Sequence, residues 1–243
     1  MGAKFKTTEF IYQLSINFVL MILALTCILP FVLLVIASFT DESALIRNGY
    51  TFFPEKLSLT AYEYLFRQGE MILRAYGITI LVTAVGTSLG LFMTAMLAYP
   101  LSRKDFSKRN LFSFIVFFTM LFNGGLVPSY LMWTTVFHVK NTIYALIFPN
   151  LLLGAFYVIL MRNYIYTNVP PELIEAAKID GAGEYRTFFQ IVLPLSLPIL
   201  ATVGLMTGIG YWNDWTNGLY YLTDQRLFSI QNVLNRILTD IQF

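Results

Sequence analysis

The sequence predicts an all-α fold, a polytopic transmembrane helical bundle, and three observations predict it. The 243 residues are 57% hydrophobic and only 12% charged, where a soluble domain carries about 25% charged residues. The mean hydropathy is +0.65. The few charges also leave five long gaps. No Asp, Glu, Lys or Arg occurs from Phe10 to Thr40, Ala75 to Ser102, Asn110 to Val139, Asn141 to Met161, or Thr187 to Asn213.

Each gap reaches the roughly 20 apolar residues a crossing helix needs. Helices are expected because lipid leaves no water to satisfy backbone groups. Barrel strands would be about half as long and would alternate with polar residues. The first run far exceeds the roughly 7–15 residue apolar core of a cleaved signal peptide. One membrane domain, 1–243, is expected, with five spans at about 12–38, 75–100, 107–127, 141–162 and 190–212. The net charge of +2 gives no electrostatic footprint for nucleic acid. The single cysteine, Cys27, permits no intramolecular disulfide and reads as span packing.

Lys and Arg near the span ends set the orientation. One group of connections holds Lys4 and Lys6, then Arg103, Lys104, Lys108 and Arg109, then Arg162, Lys178 and Arg186. The other holds Arg47, Lys56, Arg67, Arg74, Lys140, Arg226 and Arg236, spread over longer segments. The denser group places the N-terminus, the 102–110 turn and the 163–189 loop in the cytoplasm.

Between the spans, "FPEKLSLTAYEYLF" reads as a turn at Pro54 and a short helix capped near Ser58 or Thr60. Asn123, Gly124, Gly125 and Pro128 interrupt the third run, so that span ends or kinks just after Phe122. Tyr130, Trp133 and Phe137 then suit an interfacial segment. The final "RLFSIQNVLNRILTDIQF" is too short to cross. Phe228, Val233, Leu234, Ile237, Leu238 and Ile241 fall mostly on one helical face, expected to lie on a surface or a partner. His138 is the only histidine and reads as an interfacial residue. No cluster has zinc-like spacing, so neither metal nor cofactor is expected.

The most informative stretch is "EAAKIDGAGEYRTFFQIVLP", Glu175 to Pro194. Pro170 and Pro171 precede it, and Pro favours a first helical position. Glu172 and Glu175 suit the positive end of a helix dipole. Gly181 supplies a C-terminal stop, and a second helix rises from Glu184 into the fifth span. The composition predicts a short helix, a glycine elbow and a rising helix, with Ala176 and Ala177 offering a thin face to an approaching backbone.

Glu-Ala-Ala at 175–177, Gly181 and Ile-Val-Leu-Pro at 191–194 resemble the cytoplasmic signature loop of ATP-binding-cassette importer permeases, with a match at every defined position. "AAKIDGAG" resembles the carbohydrate-uptake, maltose-type branch, and "NGGLVP" and "YWNDWTNGLYYL" fit its complex-oligosaccharide members. The resemblance implies a type I importer permease rather than an enzyme. It implies two further partners inside and beside it, a cytoplasmic ATP-binding subunit and a second permease. It also implies an extracellular solute-binding protein, a carbohydrate substrate and a bacterial plasma-membrane location. Glu175, Ala176, Ala177, Asp180, Gly181, Leu193 and Pro194 would couple the chain to the ATPase. Gly86 and Gly90, a G-x-x-x-G pair, would pack closely, against the partner permease among other candidates. These permeases generally carry a sixth span; the chain stops at Phe243 without it, and truncation is expected.

Aromatic faces beside amides and carboxylates are what a sugar site needs. Trp212, Asn213 and Trp215, then Asp214 and Asn123, are the candidate substrate-path residues, against the alternative of an interfacial aromatic belt. A secondary transporter or channel is the competing reading. Such proteins place ionisable groups inside spans for ion coupling, and the five runs hold none apart from His138 at an end. No intramembrane catalytic motif is present either.

Overall fold

A computed structural model describes the backbone of residues 2–241, with side chains for Phe10 and Tyr12 to Thr239. The side chains of Lys4, Lys6, Asp240 and Ile241, and all of Phe243, lie outside the described residues. Apart from one isolated antiparallel bridge, Thr40 with Leu57, the regular elements described are helical. The chain divides into two compact units, 1–70 and 71–243.

In the first unit, α1 (Gly2–Ser38) is long and apolar enough from Tyr12 to Ser38 to cross a membrane, and the rest of the unit leaves that stretch largely uncovered. That is the pattern of a helix whose solvent is lipid. The chain then folds back through α2 (Glu42–Asn48) and α3 (Thr60–Arg67). Asp41 caps α2 by accepting from the Ser43 amide at 3.2 Å, and it also holds Lys56 Nζ at 2.9 Å. The Ser58 amide donates to the Phe39 carbonyl at 2.8 Å, and Phe39 stacks on Tyr62 with centroids 5.1 Å apart. Ser58 Oγ accepts from the Thr60 amide at 3.2 Å.

The second unit is built on α4 (Gly69–Ser102), whose 34 residues span about 50 Å. One stripe of α4 is buried: Ala75, Thr79, Val82, Gly86, Gly90, Thr94 and Ala98. The small residues admit other parts of the same chain. A Cβ on Gly86 would stand 2.4 Å from the Tyr211 ring, and one on Gly90 would stand 2.8 Å from the Leu152 carbonyl oxygen. The G-x-x-x-G pair therefore serves packing within this chain, and this contact leaves neither glycine open to a partner permease.

After the turn at 103–108 comes α5 (Arg109–Leu121), then α6 (Leu126–Leu131) and a π-helical turn, Met132–Val136. The two halves meet at 113°. Gly125 has φ +87°, and the Asn123 side chain accepts from its amide at 2.9 Å, so the Asn-Gly-Gly sequence ends the helix where interruption was expected. Alone, the 13 residues of α5 cover about 20 Å, less than the roughly 30 Å of a bilayer core.

The run 141–162, expected as one crossing helix, is instead α7 (Tyr144–Ile147), a break, and α8 (Ala155–Asn168). Pro149 and the left-handed Asn150, φ +63°, stop the helix. The Ile147 carbonyl, and the Pro149 carbonyl in addition to its local bond from the Leu151 amide at 2.8 Å, find partners from later in the chain. Tyr211 donates its hydroxyl to the Ile147 oxygen at 2.7 Å, and the Asn217 amide donates to the Pro149 oxygen at 3.1 Å. This is how a broken helix survives among apolar neighbours.

Next come α9 (Pro171–Ile179), α10 (Glu184–Thr187), a π-helical turn at Phe188–Val192, α11 (Leu193–Leu195) and α12 (Leu197–Trp212). The segment Glu184–Leu195 meets α12 at 81°. Thus the expected 190–212 span begins bent, at the sharp end marked by Pro194 and Pro198. α13 (Thr216–Tyr221) and α14 (Ile230–Ile241) complete the unit. Two apolar cores form. One joins Ala98, Val158, Met161, Phe188 and Val203. The other joins Ala75, Leu146, Tyr211, Tyr221, Phe228 and Ile230.

α14 was expected to rest on a surface or a partner, yet its first turns are part of that second core. Ile230 and Val233 are buried, and the Ile230 amide donates to Thr79 Oγ1 at 2.9 Å. Asn232 is fully buried and donates to the Trp215 carbonyl at 2.9 Å. Among the described residues of the apolar face, Leu234 and Leu238 remain exposed.

Candidate functional site

The elbow between α8 and α12 lies at the same end of the unit as the 103–108 turn. α9 starts on Pro171, whose missing amide costs nothing at a first helical position. Its end is a complete Schellman closure. Gly181 has φ +79°, its amide donates to the Lys178 carbonyl at 3.0 Å, and the Ala182 amide reaches back to the Ala177 carbonyl at 2.8 Å. No atom lies within 4 Å of a Cβ placed on Gly181. The glycine is thus required by backbone conformation and not by space.

The expected coupling residues divide into two groups. Glu175, Ala176 and Asp180 are exposed, and Glu175 has no hydrogen bond or ion pair among the described residues. Ala177 is only 7% exposed and belongs to the chain's own packing. The two alanines therefore do not form one shared outer face, since successive helical residues point about 100° apart. Leu193 packs against the first apolar core, while Pro194 is exposed in α11. Two exposed apolar residues of the elbow escaped the sequence reading: Ile179, 86% exposed, and Tyr185.

Behind α9 lies a second feature, formed by residues far apart in sequence. Arg103 donates to Asp105 and to Glu184, and Lys178 Nζ donates to Asp105 Oδ2 at 2.8 Å. Lys178 Nζ is also 4.0 Å from Glu184 Oε1. Tyr99 accepts from Arg103 at 3.0 Å and donates to Glu184 Oε2 at 3.0 Å. The Arg103 side chain is 11% exposed, and the Tyr99 ring is tilted against Phe188 with centroids 5.5 Å apart. Hydrogen bonds from Arg103 and Lys178 hold the Asp105 carboxyl well below the usual carboxylate range. Between α9, α8 and the turn is a cavity of about 380 Å³ lined by Glu175, Lys178, Arg103, Lys104 and Tyr166.

At the opposite end, the proposed substrate-path residues also take different roles. Asp214 Oδ1 accepts from the Thr216 and Asn217 amides at 3.1 and 3.2 Å, capping α13. Its Oδ2 is enclosed without a partner, and burial pushes its carboxyl above the ordinary value. Asn213 turns its amide group back to the Ile209 carbonyl at 3.0 Å. Trp212 and Asn213 border a groove of about 470 Å³ between α4 and α12, with Thr83, Thr87, Ser88 and Gly208. Trp215 is exposed, and Asn123 holds the turn before Gly125. The structure brings Trp212 and Asn213 to one groove and gives Asp214 and Asn123 structural work.

Among the described residues, no three of His, Cys, Asp and Glu gather where a metal ion would be held. His138 sits exposed at φ +54°.

Residues 86–237 match the family model described as binding-protein-dependent transport system inner membrane component. The polygalacturonan/rhamnogalacturonan transport system permease protein YtcP of Bacillus subtilis is 36% identical over 93% of this chain and 78% of its own length. Protein LplC of the same organism is 39% identical over 86% of this chain and 70% of its own. The arabinooligosaccharides transport system permease protein AraQ of Halalkalibacterium halodurans is 31% identical over 89% and 78%. Among solved structures, one chain of a bacterial ABC transporter involved in the import of the acidic polysaccharide alginate superposes with a TM-score of 0.83. It is 26% identical, over 96% of this chain and 82% of that one.

Proposed function

The chain belongs to the family of binding-protein-dependent transport system inner membrane components, a permease subunit of an ATP-driven importer, and from that premise we propose that it imports an oligosaccharide using α9 as its seat on a cytoplasmic ATPase. Its setting is the plasma membrane. The observation that carries the seat is the form of α9: a helix closed at both ends, with Glu175 unpaired and Ile179 projecting. An exposed carboxylate beside a large exposed apolar side chain is the makings of an interface anchor with a charged partner.

The remaining assignments follow from that seat. The end carrying α9 and the 103–108 turn is cytoplasmic, as is the N-terminus. The five expected runs cross the bilayer, two of them bent and one broken at Pro149. A second permease completes the path, and an extracellular solute-binding protein delivers the sugar. Oligosaccharide is favoured because relatives are named for polygalacturonan/rhamnogalacturonan and arabinooligosaccharide transport, and Trp212 and Asn213 border an open groove suited to a sugar ring.

The test is reconstitution of this chain with its second permease, ATPase and binding protein in proteoliposomes. ATP-dependent uptake of labelled galacturonan or arabinan oligosaccharides is expected from the native complex. Glu175→Lys should abolish uptake and release the ATPase on purification while the permeases still insert. Undiminished ATP-dependent uptake by Glu175→Lys would overturn the reading of α9 as the seat. Uptake driven by an ion gradient without ATP would overturn the importer itself.

A further inference from the structure

Arg103, Asp105, Lys178 and Glu184 form a closed circuit of alternating charge: Arg103 to Asp105, Asp105 to Lys178, Lys178 to Glu184, Glu184 back to Arg103. Each group meets two opposite charges, and the four sum to zero. Arg103 is nearly buried and holds Asp105 with two hydrogen bonds, so the circuit is firmer than isolated exposed ion pairs, which stabilise by about 0–1 kcal/mol. Its geometry is more specific. Lys178 lies in the last turn of α9 and Glu184 opens α10, so the circuit grips the elbow on both sides of Gly181. Arg103 and Asp105 directly follow α4, and Tyr99 of α4 bonds to both Arg103 and Glu184 from the buried side.

Covalently, the elbow is joined to α8 through Val169 and Pro170, and to α12 through α10, a π-helical turn, Pro194 and an 81° bend; neither chain path reaches α4. Bends, π-turns and prolines are where helices yield. The circuit instead joins the elbow to α4, a continuous 34-residue helix; the Tyr99–Glu184 bond enters it before its one proline, Pro100, and Thr79 in its first half meets α14. We infer that the Arg103–Asp105–Lys178–Glu184 circuit, seated on Tyr99, is the strut that delivers displacement of α9 to α4. These are positioning residues for transport. The inference rests on α9 being the ATPase seat, and it adds which span receives the motion.

Asp105 and Glu184 lie outside α9, so they separate transmission from docking. In the reconstituted importer, Asp105→Asn should leave co-purification of the ATPase and basal ATP hydrolysis intact. It should lower sugar transported per ATP by about tenfold, the scale of a coupling between sites. Asp105→Glu should restore that ratio. In a Cys27→Ser background, Asp105→Cys with Glu184→Cys should behave like Asp105→Asn. A reducible bifunctional thiosulfonate linking the two cysteines should recover coupling, and reduction should abolish it again. An unchanged ratio in Asp105→Asn would overturn the strut. So would loss of the ATPase in that variant without recovery on linking, which would make the circuit part of docking or folding. Failure of the seat itself is recognised separately, by Glu175→Lys retaining both ATPase and uptake.

Discussion

Tyr211 donates its hydroxyl to the Ile147 carbonyl at 2.7 Å while its ring lies where a side chain on Gly86 would stand. One residue of α12 thus touches α4 and the α7–α8 break together. Gly86→Ala should overpack this contact and cost about 1–3 kcal/mol. Tyr211→Phe should leave the Ile147 carbonyl unpaired and cost about 1 kcal/mol. Thermal unfolding in detergent would measure both, and the pair should be non-additive because the residues touch. Additive losses would mean that the contact does not exist.

Gly181 is held at φ +79° with open space around it. A left-handed conformation costs an ordinary L-residue about 1–2 kcal/mol, and Asn tolerates it better. Gly181→Asn should therefore retain most uptake, whereas Gly181→Val should lose most of it. Both proteins should insert in the membrane equally. Equal uptake by the two variants would contradict a conformational role.

Asp214 tests a cap against a ligand. Burial raises its carboxyl pKa, so folding favours the protonated form. That contribution is full below the unfolded value and is lost as pH rises through the raised one. Asp214→Asn keeps an oxygen for the Thr216 and Asn217 amides and carries no charge. It should match or exceed native stability at pH 7. Asp214→Ala should lose about 1 kcal/mol, as helix caps do. Thermal unfolding across pH 4–8 would read the difference, and equal losses in both variants would refute the cap.

Asp41 shows the opposite sign. Ser43, then Lys56, pull its carboxyl from 3.8 to about 2. Its contribution is present above the ordinary value and is lost as pH falls toward 2. Hydrogen exchange of residues 39–58, corrected for intrinsic rates, should show protection that is flat above pH 5 and falls below pH 4. In Asp41→Asn that pH dependence should disappear.

Hydropathy and charge exposed the helical membrane character because burial in lipid acts on composition directly. The α9 elbow was legible too, since Pro171 and Gly181 fix backbone geometry locally. The break at Pro149 was less so. Its proline stands in a run without charges, and hydropathy does not register that Tyr211 and Asn217 will satisfy the opened backbone. The same limit hid the strut. Arg103 and Lys104 read as orientation charges because Glu184 lies 81 residues from Arg103. Asp214 beside two tryptophans resembled a sugar ligand, and only the amides of Thr216 and Asn217 reveal a cap. Gly86 and Gly90 announced a close approach without saying what would approach.

The break between α7 and α8 imposes an order on membrane insertion. When residues 141–168 emerge from the ribosome, the Ile147 carbonyl lacks the Tyr211 hydroxyl, and the Pro149 carbonyl has the Leu151 amide at 2.8 Å but not the Asn217 side chain. Tyr211 and Asn217 are synthesised some sixty residues later. Unpaired carbonyls are costly in hydrocarbon. The half-made segment is therefore poorly suited to release into lipid, and it is best held in a wet or protein-lined passage until α12 and α13 arrive. A nascent chain halted before residue 211 should remain beside the insertion machinery, and one carried past residue 217 should leave it.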